Sequence, residues 1–421
     1  MGYLLFILLT LVFSFVSIWN DIRKHFLFAY CLVLYFVYIF LGPLNGYLTN
    51  NYSKFGGDFY DYFEEGLFIY ILGLLSFTGS YLILFKISRF NIRAVKSQYV
   101  LRKGSYGYLL ILFVIVSYIV SRGAGDLDKQ DQAVGLFNYL LFFADSLIIA
   151  LTILYYENKK NKIFWIVLVV TIVYYLFLGF RYRIILMLIG FIYYLLFKNK
   201  LSIKSIAQWV CYLVIFFIFM NFISVNRHVF RQRDIQEIQL SSDAPNEMTP
   251  YQFVMQQTSN YSTDFNVLKY IKENSISPDF GETMFYNVYV RITPASFYNN
   301  NIKPVAPQQE IIRNSFGSVE GFYAGAAITN IFEYYIAFGV FGVILFMSML
   351  GTFLAYLTKT LDVNHTRNRV FIVIIAMILF QEITRAFMAQ IVTLAVYLFF
   401  AFYLFYRKRR LHKKVKLVSK Y

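Results

Sequence analysis

"FLGFRYRIILML", Phe177 to Leu188, sets Arg181 and Arg183 into an apolar run whose nearest acidic residues are Glu157 and Asp234. Two guanidinium groups so far from any local counter-charge raise the question of their medium, and the rest of the chain answers it. Of 421 residues, 59% are hydrophobic, 21% aromatic and only 15% charged. Roughly a quarter of the residues of an ordinary soluble protein are charged. Apolar runs of about the length of a bilayer crossing recur from end to end. The fold class is therefore an all-α polytopic membrane protein. The first run begins at Tyr3 with no basic stretch ahead of it, and reads as a retained span rather than a cleaved signal. Cys31 and Cys211 fall in separate apolar runs and read as small packing residues.

Eleven spans are expected, at 3–19, 26–42, 66–86, 107–121, 136–156, 163–180, 184–197, 206–224, 334–357, 370–384 and 388–406. The segments between them alternate in charge. One set (20–25, 86–106, 157–162, 198–205, 358–369 and 407–421) carries 25 Lys and Arg against three acids, Asp21, Glu157 and Asp362. Everything else carries 14 basic and 20 acidic residues. By the positive-inside rule the first set faces the cytoplasm, with the N-terminus out and the C-terminus in. The net charge of +16 is thus a topology signal that also suits anionic lipid, and nucleic acid is not an expected partner. One outer connection is long. The chain divides into 1–224 with spans 1–8, a large extracytoplasmic loop at 225–333, and 334–421 with spans 9–11 and the basic tail. The loop holds six of the seven prolines, and its middle reads as helices broken by turns. Its length and composition suit a lid or cap.

The outer basic residues are mostly arginine, nine against five lysines, whereas the inner set has nine arginines and sixteen lysines. Lysine suffices for topology, while a planar guanidinium grips phosphate or carboxylate bidentately. Spans 6 and 7 together occupy only 35 residues, Ile163 to Phe197, and two crossings need about 40. The turn bearing Arg181 and Arg183 therefore sits at membrane depth, where a charge lines a cavity or finds a partner. Spans 10 and 11 take 37 residues, Val370 to Tyr406, and their tip "QEITRAF" holds Glu382 and Arg385. Arg227 and Arg231, four apart after span 8, share a face if that helix continues. Arg181, Arg183, Arg227, Arg231 and Arg385 are the candidate diphosphate-binding residues. Asp145, alone in span 5, reads as a buried partner for an arginine.

A Gly179-Phe180-Arg181 turn, a large late outer loop, "RITPASFYNNNIKP" (291–304) and "NIFEYYIAFGVFGVIL" (330–345) follow in that order. Together they resemble the Wzy-type oligosaccharide repeat-unit polymerases of O-antigen, capsule and exopolysaccharide synthesis. Glu333, Tyr334, Phe338, Gly339 and Gly342 supply an "E-x-Y-x-x-F-G-x-x-G"-like element, and the turn departs from the family pattern by Phe180. The resemblance covers about 175–345 and the overall topology. It implies a GT-C-like, metal-independent glycosyltransferase in the bacterial plasma (inner) membrane, active on the extracytoplasmic side. Its substrate would be undecaprenyl-diphosphate-linked oligosaccharide. It leaves room for a chain-length regulator protein as a partner and implies no cofactor and no metal site.

The chemistry of such a transfer follows from the residues themselves. A departing diphosphate accumulates negative charge that arginines can stabilise. The acceptor hydroxyl needs a base. Glu333 is the first candidate for that catalytic role and His228, beside Arg227, the second. The alternatives are a flippase for lipid-linked oligosaccharide and an O-antigen-ligase-like transferase. A flippase would have short loops on both sides and polar residues through many spans. A ligase would share both architecture and chemistry.

Overall fold

The structure, a computed structural model, describes residues 1–54, 57–87, 99–123, 143–177, 181–198, 258–293, 297–299, 304–305, 307–316 and 327–408. Span 8, Arg227, His228 and Arg231 lie outside the described residues. Each of the other ten expected spans overlaps a described helix, span 5 from Phe143 onward and span 6 up to Phe177. The helices are α1 (Gly2–Val16), α2 (Phe26–Leu48, with a π-helical stretch at Phe36–Leu41), α3 (Phe63–Ile87), α4 (Ser105–Gly123) and α5 (Phe143–Tyr156). Next come α6 (Lys162–Phe177) and α7 (Arg181–Lys198). From the long loop the described helices are α8 (Asn260–Glu273), α9 (a π turn, Glu282–Tyr286, continued by Asn287–Ile292) and α10 (Pro307–Ser315). The last three are α11 (Asn330–Thr360), α12 (Thr366–Arg385) and α13 (Met388–Phe405).

Length and composition make α3 clear. It runs for 25 residues. At that length a helix spans about 38 Å, enough for a hydrocarbon core of about 30 Å. Glu64 and Glu65 in its first turn and Lys86 in its last complement the helix dipole. α2, α11 and α13 are likewise long and apolar enough to cross a membrane. α12 is the hub, packed on α2, α5, α7, α11 and α13 and buried along most of its length. Strands are minimal among the described residues. Ser53–Lys54 (β1) pairs antiparallel with Gly57–Asp58 (β2), and Tyr99–Leu101 (β3) with Tyr406–Lys408 (β4).

The two sets of connections gather separately. At the lysine-rich pole β3 joins β4, just after α13, and Tyr406 donates to Glu157 Oε1 at 2.9 Å. Lys359 donates to the Leu84 carbonyl at 3.0 Å, and both Lys359 and Lys24 lie 5.4 Å from the Phe85 ring centroid. At the loop pole α8 lies over the start of α3. Lys269 there donates to the Asp58 carbonyl at 2.8 Å, and Lys272 pairs with Glu65 at 2.6 Å.

Span 9 departs from expectation. The continuous crossing at 334–357 is broken at Gly339, which has φ 64° and ψ −155°. That backbone region is open essentially to glycine alone. The chain reverses there. Tyr334 and Phe346 would stand about 18 Å apart along a straight helix, yet their ring centroids are 5.1 Å apart. Asn330 Nδ2 reaches Met347 Sδ at 3.6 Å. α11 is thus a helical hairpin, with a short limb at 330–338 laid against a long limb at 340–360. A Cβ on Gly342 would come within 2.5 Å of Phe338 Cβ and the Tyr334 carbonyl oxygen, so glycine lets the limbs cross. Hydropathy is blind to such a reversal because both limbs are equally apolar.

Candidate functional site

The short limb carries Glu333 and Tyr334 into the bundle beside the tip between α12 and α13. The turn at that tip is tight, with Ala386 at φ 27° and Phe387 extended. Glu333 is fully buried, and its Oε1 accepts the Met388 N–H at 3.0 Å, at the first residue of α13. A carboxylate at a helix N-terminus is met by the positive end of the dipole. Glu333 Oε2 is buried without a hydrogen-bond partner. Tyr334 donates a short hydrogen bond to Oε1 of the buried Glu382, whose charge acts on Glu333. One turn on, Arg385 ends α12, exposed and in no ion pair with a described residue. Its charge is felt at Tyr38 of α2.

Two helices of the long loop clamp this tip. Asn260 Nδ2 of α8 donates to the Thr384 carbonyl at 2.6 Å, and Gln308 Nε2 of α10 to the Ala386 carbonyl at 2.7 Å. A third tie fixes the start of the short limb. Asp264, fully buried on α8, accepts the Thr329 N–H at 2.9 Å through Oδ1. Its Oδ2 accepts the Thr329 hydroxyl at 2.7 Å and the Tyr70 hydroxyl at 2.5 Å. Burial pushes the Asp264 carboxyl up to about 7, while its Tyr70 and Thr329 donors pull it down. The loop, the short limb and the α12–α13 tip are therefore one hydrogen-bonded unit.

The two arginines of the 177–188 stretch separate. Arg183 is 2% exposed, and its Nε donates to Asp145 Oδ1 at 2.7 Å, with Asp145 1% exposed. Arg183 thus has a protein partner, and Asp145 is the buried partner for an arginine that the sequence suggested. Arg181 is the first residue of α7, and its side chain lies outside the description. Arg227, His228 and Arg231 lie outside it altogether. α7 packs antiparallel to α12, with Arg369 over the Phe197 ring at 4.5 Å and Gly190 against Val373. That register carries the start of α7 toward the last turns of α12. Of the seven candidates, Glu333 and Arg385 are the two that the described residues bring to one tip.

Sequence reasoning missed Asp264, Thr329, Tyr70, Asn260 and Gln308. Each acts through a contact between distant segments, for which a single sequence holds no local pattern. The two glycines of the 333–342 element serve the reversal, Gly339 by its positive φ and Gly342 by the close crossing. Among the described residues no three His, Cys, Asp or Glu side chains converge as a metal site requires.

A family model described as O-antigen polysaccharide polymerase Wzy matches residues 1–416. No curated protein and no solved structure matches the chain.

Proposed function

The chain belongs to the O-antigen polysaccharide polymerase Wzy family, and from that premise we propose the chemistry of its loop pole. The family makes the chain an integral membrane enzyme of glycosyltransferase type that acts on lipid-linked oligosaccharide repeat units. The finer reading is that it polymerises undecaprenyl-diphosphate-linked repeats at the outer face of the plasma membrane, without a metal ion.

In this reading a hydroxyl oxygen of the acceptor repeat attacks the anomeric carbon of the donor's reducing-end sugar. The bond from that carbon to the diphosphate oxygen breaks, and its electron pair leaves with the lipid diphosphate. The hydroxyl proton passes to Glu333 Oε2, the atom without a protein partner. Arg385, with Arg181 and the arginines after span 8, neutralises the charge that grows on the diphosphate. Glu333 is enclosed when the clamps from Asn260 and Gln308 are made, so the acceptor enters as those clamps open. Arg183 is left out of this role, because its guanidinium already holds Asp145.

The observation that carries the reading is the exposed Arg385, one turn beyond the buried Glu333–Glu382–Tyr334 cluster, in a chain matched to the family over 1–416. A deletion strain complemented with Arg385→Ala or Glu333→Gln tests it. Single repeats at the surface in place of long chains are expected from both. Full-length polymer from both variants, expressed at wild-type level, would sink the assignment. Repeats stranded inside would favour a flippase, and finished polymer held on the carrier lipid would favour a ligase.

A further inference from the structure

The helix at 282–292 shows an outer face rich in aromatic residues. Its exposed positions include Phe285, Tyr286 and Tyr289, with Phe280 just ahead, and Phe280 is 82% and Tyr289 62% exposed. The positions facing the protein mix polar Thr283 and Asn287 with apolar Met284 and Val290. A surface helix in water keeps its large apolar residues on the inner face. Each aromatic side chain has on the order of 150–250 Å² of surface. At the 45–82% exposure of these four, the face matches the largest apolar patches of soluble monomers, about 300–600 Å², which mark interaction sites.

The outward pose is built in. Asp279 accepts the N–H groups of Gly281 and Thr283 through its carboxylate, at 2.9 and 3.0 Å. Phe280 holds a left-handed φ of 51°, which is costly for a bulky residue. The segment is pinned against the hairpin reversal, since Asp279 N–H donates to the Ile336 carbonyl and Gly281 lies against Phe338. It also packs on α13. It meets three helices. Two of them expose apolar residues nearby, Val340, Phe341 and Ile344 on the long limb and Val396 and Phe400 on α13, whereas α10 exposes Gln309, Glu310 and Arg313. The aromatic face therefore continues the surface that an integral membrane protein gives to lipid.

We infer that residues 280–289 form an interfacial anchor: the face of Phe280, Phe285, Tyr286 and Tyr289 lies in the boundary between headgroups and acyl chains of the surrounding bilayer. Phenylalanine and tyrosine suit that boundary, where one end of a ring is dry and the other wet. Glu282, exposed beside this face, marks its aqueous edge. The sequence alone had put this part of the loop in the outer medium. The inference rests on membrane insertion alone and stands apart from the polymerase chemistry.

The test is nitroxide accessibility in full-length protein, with Cys31 and Cys211 replaced by alanine, at one copy per lipid nanodisc. Labels are placed through Phe285→Cys and Tyr289→Cys, with Phe341→Cys as lipid control and Lys272→Cys as water control. Oxygen, which partitions into lipid, should relax both test labels several-fold more, relative to a water-soluble nickel chelate, than it does at Lys272. The ratio should approach that at Phe341. Nickel access equal to that at Lys272 would overturn the anchor, and exclusion of both reagents would overturn it in favour of a protein cover. A Phe285→Trp variant gives a second reading without cysteine chemistry. Brominated acyl chains should quench its fluorescence more than aqueous iodide does, and the reverse order counts against the anchor.

Discussion

Two short helical connections bring an arginine to the loop pole, and the two arginines are used in opposite ways. Near the α6–α7 turn Arg183 is buried against Asp145, 38 residues away in sequence. At the α12–α13 tip Arg385 is exposed, and the neighbouring Glu382 is taken by Tyr334. Span-length arithmetic predicts a deep arginine at both. What differs is whether another helix supplies a carboxylate, and that is set by packing. An arginine at depth is thus no more evidence for a ligand than for an ion pair until its neighbours are known.

That contrast can be broken most sharply at the buried pair. Arg183→Ala leaves Asp145 buried without its cation, and stripping one partner from such a pair costs about 3–5 kcal/mol. A large loss of thermal stability in detergent is expected, with partial recovery when Asp145→Ala is added. If the single variant unfolds like wild type, the pair is not structural. Asp264 offers a comparison with a buried carboxylate that has hydroxyl partners instead. Its carboxyl titrates at about 7, above the ordinary 3.8. A raised acid favours the protonated folded state. The stability it contributes is full below about pH 4 and is lost as pH rises to about 7, up to roughly 4 kcal/mol in all. Unfolding of wild type should show this decline across the window, and Asp264→Asn should flatten it. A wild-type profile already flat there would refute the buried, raised carboxyl.

Smaller effects sharpen the tip. Gly339→Ala forces a side chain into glycine-only backbone, at about 1–3 kcal/mol, although its Cβ would meet only Pro278 at an ordinary 3.5 Å. Polymerisation should fail well below the unfolding temperature, because the reversal that presents Glu333 is disturbed. Normal polymer from Gly339→Ala would show that the hairpin is dispensable. Arg385→Ala should shift stability least, within about 0.5 kcal/mol as for other exposed sites, while abolishing long chains. Equal losses of stability and activity in that variant would make Arg385 structural like Arg183.

The helical bundle was legible because a bilayer imposes length and composition on every crossing, and the described helices fall where the apolar runs lie, four of them long and apolar enough to cross a membrane. β3 pairs with β4, two segments that lysine content had assigned to one set. The site was legible only where residues sit close in sequence. Glu333 and Tyr334 came with their glycines, and Glu382 with Arg385. The Asp264–Thr329–Tyr70 tie and the Asn260 and Gln308 clamps depend on which helices meet, and no periodicity encodes that. The reversal at Gly339 escaped for another reason: apolar residues on both sides satisfy the same hydropathy whether the chain runs straight or doubles back.

The hairpin bears on how the protein is made. Insertion into a membrane sorts a nascent chain by apolar length, and a crossing needs about 20 residues. Asn330–Thr360 offers 31 residues. Residues 340–360 alone meet that length, and all 31 together are apolar enough to enter as one extended span. The short limb reaches its place only when α3 and the Asp264 clamp are there to receive it. An extended entry would make folding back a step that follows synthesis of α11, and reporter fusions ending inside 340–360 would then report the precursor that has not folded back.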